Sequence, residues 1–313
     1  MDNQHFFTKR KVRIILASFC ALLWGSAYPA IKSGYKLFAI ATDDLSSKFI
    51  FAGLRFFLAG LMVLAVSIAM KKDLRAFNKR NIGEVIIYAL SYTTIQYSIF
   101  YIGLSYTTGT NGSIMNSTLT FFSFLIAHFL YHNERLTRNR IAGVVAGFAG
   151  VIAALVHFGT YTFTFSLKGD GALILSAFML AAASIYGKHI TARLDAMVTT
   201  GYQLALGGGL LALAGFLAGG RLTTISWQGF VLLTYMAALS AVAFTLWTTL
   251  LKYNPVGKVT VFNFLVPIFG TLLSGIILDE SIWRLNYLIA LVLVSLGIWL
   301  VNREEKAKVP SYM

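Results

Sequence analysis

The sequence predicts an all-α integral membrane protein, with ten transmembrane helices arranged as a 5+5 inverted-topology repeat. Three observations predict it. Of 313 residues, 57% are apolar and only 12% are charged, about half the ~25% charge of a soluble domain. Apolar stretches recur at close to the ~20 residues that cross a bilayer. The second half of the chain repeats polar landmarks of the first.

The spans run in order as follows. The first, 12–31, follows Lys9, Arg10, Lys11 and Arg13. It carries Trp24, Tyr28 and Pro29 and lacks a clear small-x-small cleavage site, so it reads as a retained helix rather than a signal peptide. Next come 49–70, which contains Arg55, and 82–104, with Tyr92, Thr93, Thr94, Gln96 and Tyr97. Span 110–131 opens with Asn111 and Asn116, and 140–158 carries Gly143 and Gly147. The second half has 171–188 with Ser184 and Tyr186, and 199–218 with Tyr202, Gln203, Gly207, Gly208, Gly209 and Gly215. It continues with 228–251, containing Trp247, Thr248 and Thr249, then 257–278, with Asn263 and Pro267, and 284–302. Helices are required because lipid leaves an open strand edge unpaired. The short breaks at 105–109 and 279–281 have turn composition. The glycine faces of the fifth and seventh spans suit close helix contact.

Charge sets the orientation. A net charge of +14 would point to nucleic acid in a soluble chain. Here the basic residues lie between apolar runs, where they orient the helices and meet anionic headgroups. With the N-terminus in the cytoplasm, 19 Lys and Arg fall on that side and 6 on the other. Both termini are therefore expected inside, with no nucleic-acid partner. The single cysteine, Cys20, permits no intramolecular disulfide and no thiolate metal site. HExxH, CxxC, GxxxxGK[ST] and GxGxxG patterns are absent, so no metal, no cofactor and no enzyme activity are expected. Asn111-Gly112-Ser113 and Asn116-Ser117-Thr118 match the glycosylation pattern but open a span, where modification is not expected.

Sliding residues 100–155 onto 246–301 sets Asn133-Glu134-Arg135-Leu136-Thr137-Arg138 on Asp279-Glu280-Ser281-Ile282-Trp283-Arg284. Five spans per repeat is an odd number, so the halves, 1–158 and 159–313, must insert with opposite orientation. Inverted repeats with a site at their interface near the midplane mark secondary transporters.

Several short motifs carry a family resemblance. They are Leu23-Trp24-Gly25-Ser26-Ala27-Tyr28-Pro29-Ala30-Ile31-Lys32, Arg55-Phe56, and Tyr101-Ile102-Gly103-Leu104-Ser105-Tyr106-Thr107. Glu134-Arg135-Leu136-Thr137 with Gly143 and Gly150, then Pro267 and Asp279-Glu280, complete the set. In this order, over nearly the whole chain, they resemble the drug/metabolite transporter superfamily, EamA type. Two features depart from the family pattern. The usual proline of the fourth span is replaced, with Phe121 aligned to Pro267, and Ala181–Lys188 only loosely echoes the first span. The resemblance implies transport of small organic metabolites, often efflux of amino acids or related compounds.

The candidate substrate-binding residues are Arg55, Lys32, Gln96, Tyr97, Asn116, Tyr186, Gln203, Trp247 and Asn263. Arg55 is a charge within a span, where lipid exposure is costly. It either grips a substrate carboxylate or ties down carbonyls and reaches headgroups. Lys32 either adds a second positive charge or ends its helix as an ordinary lysine. Gln96, Asn116 and Gln203 with the aromatics either shape a pocket or bond helix to helix. Pro29 and Pro267 free the carbonyls of Gly25 and Asn263, to line a wet cavity or to kink a packed helix. Glu84 and His128 lie near cytoplasmic ends, and the absence of a central acid weakens a carboxylate proton relay.

The expectation is a secondary carrier in a bacterial inner membrane, as a monomer or homodimer amid membrane lipid. Its expected cargo is a small molecule, by preference an exported amino acid or similar carboxylate. The rivals are the same fold carrying a nucleotide-sugar, lipid-linked sugar or drug, and a non-transporting membrane enzyme or sensor.

Overall fold

Lipid offers the backbone no partner, so each apolar stretch must close its own hydrogen bonds. The computed structural model does this with helices alone among the described residues, which are 3–74, 79–107, 109–131, 134, 136–155, 165–224, 226–278 and 285–303. A short α1 (Asn3–Thr8) leads into α2 (Arg10–Leu37) and α3 (Leu45–Ala69). Then come α4 (Asn81–Ser105), α5 (Gly109–Ser117), α6 (Leu119–Leu130) and α7 (Arg138–Leu155). The second half holds α8 (Leu167–Thr191), α9 (Ala196–Leu217), α10 (Trp227–Tyr253), α11 (Val256–Ile277) and α12 (Leu285–Asn302).

Seven of these, α2–α4 and α8–α11, are long and apolar enough to cross a membrane, and Ile114–Leu130 and Leu288–Asn302 are shorter apolar helices. The span expected at 110–131 is divided at Thr118, and the break expected at 279–281 lies outside the described residues. Helix starts follow capping chemistry. Asp44 accepts from the Ser47 N–H, Asp195 from those of Met197 and Val198, and Ser226 from that of Gly229. Past the end of α9, Gly219 takes φ +88°, the left-handed turn that stops a helix.

Two irregular turns matter for packing. A π segment, Leu90–Ile95, interrupts α4, and Thr94 Oγ1 there donates to the Gly207 carbonyl of α9 at 2.9 Å. A 3-10 segment, Val261–Phe264, precedes Pro267 in α11 and contains Asn263, whose carbonyl the proline frees. Pro29, by contrast, sits within an uninterrupted α2.

Small residues bring backbones together in two seams. On α3 and α9, Gly53 lies against Ala212 and Gly60 against Ala205, so the helices run antiparallel. Gly201, Gly208 and Gly215 continue this face at seven-residue spacing, the period of a left-handed supercoil. On α7 and α12, Gly143 meets Gly297 and Gly150 meets Ala290 and Val294, again antiparallel. Gly25 of α2 packs on Phe269 and Gly270 of α11.

Polar ties gather at the ends of the bundle. At the end holding the start of α2, Arg13 donates to Asn254 Oδ1 and Asn302 Oδ1, each at 3.1 Å. Lys72 pairs with Asp195 and Arg193 with Glu84 at that end. At the opposite end, Ser47 Oγ donates to the Arg221 carbonyl and accepts its N–H, both at 2.9 Å.

Candidate functional site

Arg55 sits near the middle of α3 and is 3% exposed. Its Nε donates to Ser240 Oγ, 3.0 Å away near the middle of α10, and that hydroxyl in turn donates to the Met236 carbonyl at 2.8 Å. The guanidinium carbon lies 4.4 Å from the Phe56 ring centroid. Tyr35, Tyr97 and Tyr101 lie within electrostatic reach of the charge. Among the described residues, no carboxylate pairs with Arg55, since the ion pairs found involve other cations. A buried cation without an anion is costly, and breaking or omitting its pair leaves charge uncompensated. The arrangement therefore leaves the two outer guanidinium nitrogens suited to a bidentate anion.

The register of the helices sorts the aromatic residues around this charge. Toward the N-terminal end lies a floor of packed rings. Trp24 stands 5.5 Å from Phe244 and 4.9 Å from Trp247, while Tyr92 is 5.7 Å from Phe244 and 5.2 Å from Tyr88. The Trp24 indole N–H is buried without a partner. Toward the opposite end stand tyrosines: Tyr97 is 4.5 Å from Phe56 and 6.4 Å from Tyr101. The Tyr28 ring takes up the space that a side chain on Gly270 would fill. Arg55 thus lies between a closed aromatic floor and a tyrosine-lined side.

The structure separates the other candidates. Gln96 and Gln203 are 1% and 0% exposed and span helix interfaces. Gln96 Nε2 donates to Ser176 Oγ at 2.8 Å, linking α4 to α8, and Gln203 Nε2 donates to Thr93 Oγ1, linking α9 to α4. Each amide keeps a buried oxygen without a partner. Tyr97 belongs to the Arg55 group, and Trp247 belongs to the floor. Tyr186 is half-buried, 6.4 Å from Tyr88, and Asn116 and Asn263 are half-buried on α5 and in the 3-10 segment. Lys32 is exposed on α2. Ser26 Oγ bonds the Leu23 carbonyl and the Tyr235 hydroxyl, both at 2.7 Å. Ser240 was not singled out by sequence reasoning: a lone serine in an apolar helix carries no signal until its partner is placed. Among the described residues, no group of three or more His, Cys, Asp and Glu could hold a metal ion.

Comparison with known proteins follows the same lines. The sequence profile of the EamA-like transporter family matches residues 11–156 and again residues 167–303. The chain is similar to the uncharacterized transporter YvbV of Bacillus subtilis (strain 168), with 27% identity over 94% of this chain and 92% of that protein. It is 22% identical to a probable amino-acid metabolite efflux pump of Escherichia coli (strain K12), over 91% of this chain and 93% of that one. A solved crystal structure superposes with a TM-score of 0.78 at 19% identity, covering 94% of this chain and 97% of that chain, which establishes a shared fold.

Proposed function

The chain belongs to the EamA-like transporter family, and from that premise we propose that it exports a small carboxylate-bearing metabolite, an amino acid or a relative of one, by alternating access. The observation that carries this reading is Arg55: a buried mid-helix cation, positioned by Ser240 and faced by no described carboxylate. A substrate carboxylate would complete it bidentately, and the rings of Phe56 and Tyr97 would pack the substrate's body.

The rest of the reading is architectural. Ten spans in a 5+5 inverted repeat is supported by two profile matches of similar length and by antiparallel seams that each pair a helix of one half with a helix of the other. Arg55 and Ser240, one from each half, meet near the middles of α3 and α10, which supports a site between the halves. The excess of Lys and Arg on the N-terminal side supports cytoplasmic termini, in what we read as a bacterial inner membrane. Both halves come from one chain, so a monomer suffices.

The test is thermal stabilisation of the purified protein by amino acids, their deaminated analogues, amines, sugars and nucleosides, followed by counterflow in proteoliposomes. A ligand bound to the folded state raises the melting temperature by mass action. Stabilisation by a carboxylate class that is lost in Arg55→Gln is the expected result. Stabilisation by sugars or amines alone, indifferent to Arg55, overturns it.

A further inference from the structure

We propose that Glu134 is the gating residue of the transport cycle, a latch that holds the N-terminal end of the carrier closed. The proposal rests on the transporter reading but not on the identity of the substrate. Glu134 lies in the link between α6 and α7 and is 4% exposed. Its Oε1 accepts the Val256 N–H at 2.9 Å and its Oε2 the Gly257 N–H at 3.1 Å. These are first-turn donors of α11, a helix that follows Pro255 and has no side-chain cap of its own. The carboxylate therefore supplies what the helix start lacks, in both hydrogen bonds and charge.

A buried carboxylate persists only when its lone pairs are filled. Lys188, in the last turn of α8, completes the set: its Nζ is 3.6 Å from Glu134 Oε1 and also donates to the Asn254 carbonyl. Asn254 then accepts from Arg13, which reaches on to Asn302. Glu134 and Arg13 belong to the first matched stretch; Lys188, Asn254, Val256, Gly257 and Asn302 belong to the second. The network thus fastens one half of the molecule to the other at one end. Every carboxylate–cation pair among the described residues lies at that same end. At the opposite end, the described ties between halves run through hydroxyls, such as Ser47 to Arg221 and Thr107 to Asp170. Alternating access requires the N-terminal contacts to part, and loss of the buried carboxylate frees three donors of the other half at once.

The chain contains its own reporter. Cys20, the single cysteine, is fully buried between the latch and the level of Arg55, about 15 Å along α2 from its first residue at 1.5 Å per residue. Its sulfur lies 3.6 Å from the Ala243 carbonyl of α10, so it sits between a helix of each half. Opening the N-terminal end would wet it.

The experiment measures the rate at which a small hydrophilic maleimide labels Cys20 in membranes with the cytoplasmic face exposed. Cys20→Ala gives the background. Wild type should label slowly. Glu134→Gln, Glu134→Ala and Lys188→Met should each raise the rate about ten-fold or more, the change expected when the open population grows by that factor. Glu134→Asp, which keeps the carboxylate, should fall back toward wild type. A second thiol, Leu211→Cys in the Cys20→Ala background, lies on α9 away from the latch and should stay unlabelled with or without the Glu134 change. Unchanged Cys20 labelling in Glu134→Ala overturns the latch, as does equal labelling at position 211, which would mean general loosening. Labelling needs no substrate, so a failed transport assay and a failed latch remain distinguishable.

Discussion

Gly143 and Gly297 face each other across α7 and α12 with no side chain between them. A Cβ on Gly143 would lie 2.7 Å from the Gly297 carbonyl oxygen, and one on Gly297 would lie 2.6 Å from that of Gly143. Backbone cannot rotate away as a side chain can. Gly143→Val and Gly297→Val should therefore each destabilise the protein by about 1–3 kcal/mol, the usual cost of overpacking. Gly83, helical and with open space around it, is the control, and Gly83→Ala should leave the melting temperature in detergent the same or slightly higher.

Arg55 should be sensitive to geometry as well as charge. A hydrogen bond to a charged group contributes about 1.5–3 kcal/mol, so Arg55→Gln should weaken carboxylate binding by about ten- to a hundred-fold. Arg55→Lys keeps the charge but loses both the fork and the Nε bond to Ser240, and should fall between. Binding by isothermal titration, with gel filtration to check folding, measures both.

Gln96 and Gln203 give the opposite expectation. Each is already spent on a neighbouring helix. Interhelical bonds within membranes average only about 0.6 kcal/mol. Gln96→Leu and Gln203→Leu should lower thermal stability slightly and leave substrate preference unchanged. A changed preference in competition assays would return them to the pocket.

Asp195 supplies a pH dependence. Burial pulls its carboxyl upward, but the bond from Lys72 and the N–H groups of Val198 and Met197 outweigh that and hold it below the ordinary carboxylate value. A carboxyl lowered in the folded state stabilises fully above its unfolded pKa, and the contribution is lost as pH falls through the lowered value. Wild type should thus lose melting temperature on acidification below the ordinary aspartate range. Asp195→Asn keeps the cap oxygen but not the charge, and should flatten that part of the curve. Asp195→Ala should cost about 1 kcal/mol at neutral pH through loss of the cap. Melting curves across pH check all three.

Seven of the ten expected spans were legible because lipid imposes one simple demand, a long apolar window, and α2, α3 and α10 extend only a turn or two past their expected limits. The interruptions were not. The π segment of α4 depends on Thr94 reaching Gly207, a residue on a distant helix. Arg55 was legible because a charge within a span must have a purpose. Gln96 and Gln203 looked like pocket residues because hydropathy does not say which neighbour a polar group faces. Glu134 stood out in the turn motif, but its burial under the start of α11 depends on Pro255, 121 positions away in the chain, leaving that helix uncapped.

The two glycine seams also limit how such a molecule can move. α3–α9 and α7–α12 each join one half to the other, with backbone resting on backbone. Helices in such contact cannot slide or separate by a fraction of an ångström without losing it, but they can roll. A transport stroke that keeps both seams would have to part other contacts, such as the ring-to-ring contacts that join α2 and α4 to α10.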